Sequence, residues 1–132
     1  MIKPPTRSLR FANFWLAAGI ALMIVVLDLS LSPGIGRNMG INDKSAHFLV
    51  FLVLMLWFCG VFRGRVTPWV ALSLLAFGIL IEIIQSRLPH RSAELYDVVA
   101  DAGGILLGWG LAAAGFARWT ALLEARLPAK GS

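Results

Sequence analysis

The side chains able to do chemistry in this chain fall into four short groups. Lys44 and His47 are spaced i and i+3, with Asp43 before them in the position of a helix N-cap. Glu82 and Gln85 repeat the i, i+3 spacing, and Asp97 and Asp101 are i and i+4 on a stripe continued by Gly104 and Gly108. Between the second and last groups runs Arg87-Leu88-Pro89-His90-Arg91, a proline-interrupted basic loop expected to fold its guanidinium groups back over the acids. The constellation is therefore Lys44, His47, Glu82, Gln85, Arg91, Asp97 and Asp101. Three chemistries suit it. The first is an ion-pair and hydrogen-bond network tying helices together. The second is a head-group site in which Lys44, Arg87 and Arg91 hold phosphate or carboxylate. The third is acid–base catalysis by Glu82 or Asp101 with His47 as proton carrier, although no nucleophile is evident and no catalytic residue is assigned. Without an HExxH pair, His47 is expected to hydrogen-bond a carboxylate, and neither metal nor cofactor is expected.

The elements that must position these groups are apolar. Of 132 residues, 58% are hydrophobic and 14% charged, which is too apolar for a soluble domain of this length. Four runs are long enough to span a bilayer: residues 14–31, 46–62, 68–84 and 98–117. The chain reads as one all-α domain over 1–132, an integral membrane four-helix bundle. The first run follows Lys3, Arg7 and Arg10 like a secretory signal, but its apolar stretch is longer than a signal's and it reads as a span. Asp28, near its far end, is expected to reach the interface rather than join the cluster. The connection Arg63-Gly64-Arg65-Val66-Thr67 makes the second and third spans antiparallel neighbours. The lone Cys59 lies in a span and serves as apolar filler.

Charge sets the orientation. Lys3, Arg7, Arg10, Arg63, Arg65, Arg118, Arg126 and Lys130 fall on one side, against Arg37, Lys44, Arg87 and Arg91 on the other. The positive-inside bias predicts that both termini are cytoplasmic. Of the seven acids, Asp28, Asp43, Glu82, Glu94, Asp97 and Asp101 lie toward the outer side and only Glu124 toward the inner. Trp15, Trp69 and Trp119, with Trp57 nearby, are expected to form an inner interfacial belt, with Trp109 packing inside. Residues 118–132 are either an amphipathic segment on the inner leaflet or a frayed tail. The basic termini lack interleaved aromatics, so no nucleic acid is expected.

Read in order, Asp43-Lys44-Ser45-Ala46-His47-Phe48, Glu82-Ile83-Ile84-Gln85, Pro89-His90-Arg91 and Asp97-Val98-Val99-Ala100-Asp101-x-x-Gly104 resemble the VanZ-like family of small bacterial membrane proteins. At Asp101 the family pattern more often has Asn, so this chain carries an extra ionisable group. The resemblance implies a four-span fold in the bacterial cytoplasmic (inner) membrane and, through the family's namesake, a link to resistance against the glycopeptide teicoplanin. It implies no agreed reaction. The expected function is an outward-facing polar site for an anionic lipid or lipid-linked cell-wall precursor head group. The alternatives are an intramembrane enzyme and a structural accessory subunit. Expected partners are membrane lipids and such a precursor, and the glycine stripe leaves homo- or hetero-oligomers open.

Overall fold

The computed structural model describes residues 6–33, 42–90 and 93–129. Among them are five α-helices: α1 (Ala12–Leu31), α2 (Asp43–Val61), α3 (Thr67–Gln85), α4 (Leu95–Ala113) and the short α5 (Trp119–Arg126). The first four are long and apolar enough to cross a membrane. At about 1.5 Å per residue each reaches roughly 30 Å, the thickness of the hydrocarbon core. The α2 and α4 helices begin three residues before the runs expected at 46 and 98, because their polar first turns belong to the helices. The cap of α2 is Asn42, whose side chain accepts from the Lys44 amide at 3.0 Å; Asp43, expected to be the cap, lies inside the first turn. Pro68 starts α3 where a missing N–H costs nothing. The fourth span ends at Ala113 rather than Ala117, since Gly115 takes φ of 121° and turns the chain into a 3-10 segment before α5.

The centre of the bundle is α2, which packs most extensively on α4 and also touches α1 and α3. Phe51, Leu54, Met55, Phe58 and Cys59 of α2 meet Leu74 and Ile81 of α3 and Ile105 and Ala112 of α4. The α2–α4 contact is backbone on backbone. A β-carbon on Gly104 would strike the Phe48 carbonyl oxygen and come within 2.9 Å of the Leu52 nitrogen; one on Gly108 would lie 2.8 Å from the Met55 β-carbon. The one buried residue of α1 is Gly19, beneath the rings of Trp57 and Phe58; Leu16, Leu22, Met23, Val26 and Leu27 pack partly buried against the core, and Phe14, Ile20, Ile24, Val25 and Leu29 are exposed. Such all-round apolar character is what a helix in a bilayer requires.

The end bearing the termini is closed by the segments that flank the spans. The last carbonyls of α2 find no partner within the helix. Here the Cys59 oxygen accepts from Arg7 Nε at 3.0 Å, Gly60 from Thr120 Oγ1 at 2.6 Å and Val61 from the Arg7 amide at 2.8 Å. Glu124 on α5 accepts from the amides of Arg10 (2.7 Å) and Phe11 (2.9 Å) and from Trp15 Nε1 (2.8 Å), so α5 caps the start of α1. Residues 119–126 therefore form a helix whose first turn is built into the bundle, while Leu122 and Leu123 stay exposed. Three of the tryptophans, Trp15, Trp57 and Trp119, form a cluster at this end. Trp119 packs on Trp15 at 5.4 Å and on Trp57 at 4.8 Å, and its indole donates to the Leu56 carbonyl. Trp69 remains largely exposed, and Trp109 packs against the core.

Two predictions follow from this packing. Gly104→Ala pushes α2 and α4 apart at a backbone contact and should cost about 1–3 kcal/mol in thermal unfolding in detergent. Gly110→Ala, whose β-carbon meets nothing within 4 Å, should leave the melting temperature unchanged or slightly raised. At Glu124, burial raises the carboxyl pKa, but the three donated hydrogen bonds outweigh it and hold the group below its ordinary 4.5. A folded-state pKa lowered in this way contributes stability that is fully present above pH 4.5 and is lost as pH falls through the folded value. Melting temperature followed from pH 7 down to about pH 3 should fall more steeply in wild type than in Glu124→Gln.

Candidate functional site

At the opposite end of the bundle, polar residues of α2, α3 and α4 converge. His47 faces inward from the second turn of α2 because positions 44, 47, 51, 54 and 55 share one face, which below His47 is the core face. Asp97 and Asp101 point inward from the first two turns of α4, and Glu82 from the last turn of α3. Exposure of the side chains falls from 9% at His47 and 8% at Glu82 to 1% at Asp97 and 0% at Asp101, so the carboxyl groups are held out of water.

Within the buried layer the shortest contact joins His47 Nδ1 to Asp101 Oδ1 at 2.7 Å. An ionised carboxylate only accepts, so with Asp101 ionised His47 donates from Nδ1, and a neutral ring then has its lone pair on Nε2. Nε2 in turn lies 3.8 Å from Glu82 Oε1 and 4.0 Å from Asp97 Oδ2. The other Glu82 oxygen accepts from the Glu94 amide at 3.0 Å, fastening the end of α3 to the residue that precedes α4. Above this layer Lys44 Nζ sits 2.7 Å from Glu94 Oε2 and 4.0 Å from Asp97 Oδ1. Among the described residues, Glu82 Oε1, Asp97 Oδ1 and Asp101 Oδ2 have no hydrogen-bond partner. Buried oxygens in that state are costly and call for a proton, a cation or a ligand. Asp101 has its room because residue 78 is glycine: a β-carbon there would collide with Oδ2 and come within 3.1 Å of Phe51.

The structure thus brings together Lys44, His47, Glu82, Asp97 and Asp101. Gln85 turns away from them: its amide donates to the Ser30 carbonyl at 2.8 Å, so it ties α3 to α1. His90 Nε2 lies 3.0 Å from the Leu31 carbonyl, so the basic loop docks its histidine on α1 rather than over the acids, while Arg87 is exposed. Arg91 lies outside the described residues. Asp28 is exposed on α1.

Three residues at this end were not read as site residues from the sequence. Glu94 partners both Lys44 and Glu82, and nothing local marks it, because its contacts are to other helices. Asp43 stands four residues before His47, and one ligating atom from each of Asp43, His47 and Asp97 lies within 4.8 Å of the others. Gly78 makes room for Asp101, an acid of another helix, so nothing in its own stretch of sequence marks it.

Comparison with known proteins agrees with this architecture. A family model described as VanZ/LLP1 matches residues 6–118, which takes in all four long helices. The uncharacterized protein C11E3.10 of the fission yeast Schizosaccharomyces pombe is 41% identical over 101 residues, a stretch covering 74% of this chain. The match spans 59% of the yeast protein's length. No solved structure matches. A yeast relative also removes the restriction to bacteria that the resemblance had carried. With four spans and a match over nearly its whole length, the chain belongs to the VanZ-like family of multi-pass membrane proteins.

Proposed function

We propose that this protein binds the phosphate-bearing head group of a lipid at its polar end, with the Lys44 ammonium as principal contact. The observation that carries the reading is the Lys44–Glu94 pair, 2.7 Å long and with both side chains close to half exposed, set directly above buried Asp97. A pair this exposed contributes about 0–1 kcal/mol, so a phosphate can replace Glu94 at little cost. Arg87 is exposed on the loop that leaves α3, and Arg91 follows it in sequence; guanidinium groups suit a phosphate bidentately.

Orientation belongs to the same reading. Arg7, Arg10, Arg63, Arg65, Arg118 and Arg126 crowd the end that holds the termini, which by the positive-inside bias supports a cytoplasmic position for that end and the far face for the polar site. In a bacterium this is the outer face of the cytoplasmic membrane, where lipid-linked wall precursors and glycopeptides such as teicoplanin meet. A relative in a yeast favours a head group common to many membranes over a wall precursor.

A second reading rests on the His47–Asp101 pair. A histidine held by a buried carboxylate, with its other nitrogen facing Glu82, is arranged to carry a proton, as an intramembrane enzyme would need. Without a ligand or reaction, the same charges would serve only to assemble a structural subunit.

Native mass spectrometry of detergent-purified wild type beside Lys44→Gln, Arg91→Ala and Glu82→Gln tests these readings. Head-group binding predicts about one phospholipid or lipid-linked precursor retained per chain by wild type, and a roughly tenfold drop in Lys44→Gln and Arg91→Ala, the loss expected for a charge-assisted contact. Equal, non-stoichiometric lipid in all four, with lower melting temperatures in the variants, would leave the charges a purely structural role. A lipid product made by wild type and absent in Glu82→Gln, with binding retained, would favour the enzyme.

A further inference from the structure

We propose that the polar end holds a divalent metal ion of the zinc or manganese type, bound by His47 Nε2 and the carboxylates of Asp97 and Asp43, with Glu82 beside it and Asp101 positioning the histidine. This goes beyond the head-group reading, does not depend on it, and departs from the expectation of no metal. Three features of the site point the same way.

The first is convergence. One ligand atom from each of Asp43, His47 and Asp97 lies within 4.8 Å of the others, and Glu82 Oε1 is 3.8 Å from His47 Nε2. Donors around an ion at about 2.1 Å stand roughly 3–3.6 Å apart, so the side chains need to close by about 1 Å. Asp43 is exposed and at a helix start, where that movement is easiest.

The second feature is want of partners. Asp97 is 1% exposed, yet its Oδ1 has no hydrogen bond among the described residues; Glu82 Oε1, also buried, has none either. The described cation at the site, Lys44, is engaged by Glu94 and reaches Asp97 only at 4.0 Å. Three buried carboxyl groups around one imidazole lack positive charge, and a divalent ion supplies it.

The third is the hydrogen bond on the far side of the ring. The Nδ1-to-Asp101 contact of 2.7 Å is the arrangement that fixes a metal-binding histidine, because it leaves Nε2 as the ligating nitrogen and raises its basicity. A mixed nitrogen and oxygen donor set selects zinc or manganese over calcium or magnesium. Two carboxylates and one imidazole leave a coordination position open for water or a phosphate oxygen. An ion there would also reconcile an acid-lined site with an anionic ligand.

The test is metal content and Zn2+ titration of the purified, tag-free full chain in detergent after chelator stripping. One Zn2+ per chain is expected in wild type, with a rise in melting temperature that grows with free Zn2+. His47→Ala and Asp97→Asn should weaken binding at least 100-fold, and Asp101→Asn about 10–100-fold, as loss of the group that orients a ligand does. His90→Ala, which removes the other histidine, should bind as wild type does. Absence of stoichiometric Zn2+ and Mn2+ in wild type, or undiminished binding in His47→Ala, would overturn the proposal. If His47→Ala does not fold, Co2+ bound to wild type must show one imidazole nitrogen by pulsed paramagnetic resonance; its absence overturns the proposal equally. Lipid retained by the stripped chain with no Zn2+ uptake would sink the ion alone, and Zn2+ uptake without lipid would sink the head-group reading alone.

Discussion

Everything at the polar end depends on how closely α2 and α4 approach. Gly104 lets the backbone of α4 rest on the Phe48 carbonyl, and Gly108 continues the contact one turn further along. With a larger residue in either place the helices would separate, and the 2.7 Å bond between His47 and Asp101, one turn before Gly104, would stretch or break. A glycine on the third helix completes the arrangement, since Gly78 leaves the space in which the Asp101 carboxyl sits. The small residues and the ionisable ones are parts of one device: the first make room at a depth where the second would otherwise be too costly to bury.

The two ends of the bundle solve the same problem differently. At the terminal end, the carbonyls that α2 leaves open are met by Arg7 and Thr120, and the amides of Arg10 and Phe11 just before α1 by Glu124. At the polar end, the oxygens of Glu82, Asp97 and Asp101 outnumber the donors around them. Among the described residues that imbalance lies at one end of the bundle, and it is the feature from which both proposals start. The yeast relative, 41% identical over 101 residues, widens the family's setting beyond bacteria.

Much of this was legible in the residues. Runs of apolar side chains long enough to cross a bilayer announced four spans, and helical spacing placed Lys44 with His47 and Asp97 with Asp101. The limits appear at particular residues. Gln85 shares its turn with Glu82, yet it bonds to Ser30 on another helix. Glu94 precedes α4 with no periodic pattern to recommend it, and it touches two of the groups that matter. The tail beyond Gly115 has weak amphipathic spacing, and its docking depends on Trp119, Thr120 and Glu124 meeting helices far away in the chain.

The sequence by itself determined the class of the protein, its four crossings, the sorting of acids to one end and the face each polar residue takes on its own helix. Those are local properties, set by hydrophobic length and by 3.6-residue periodicity. Only the tertiary structure decided which faces meet. Rotation and register between helices are fixed by contacts between residues distant in the chain, such as His47 with Asp101 and Trp119 with Leu56, and no single helix contains the information for them.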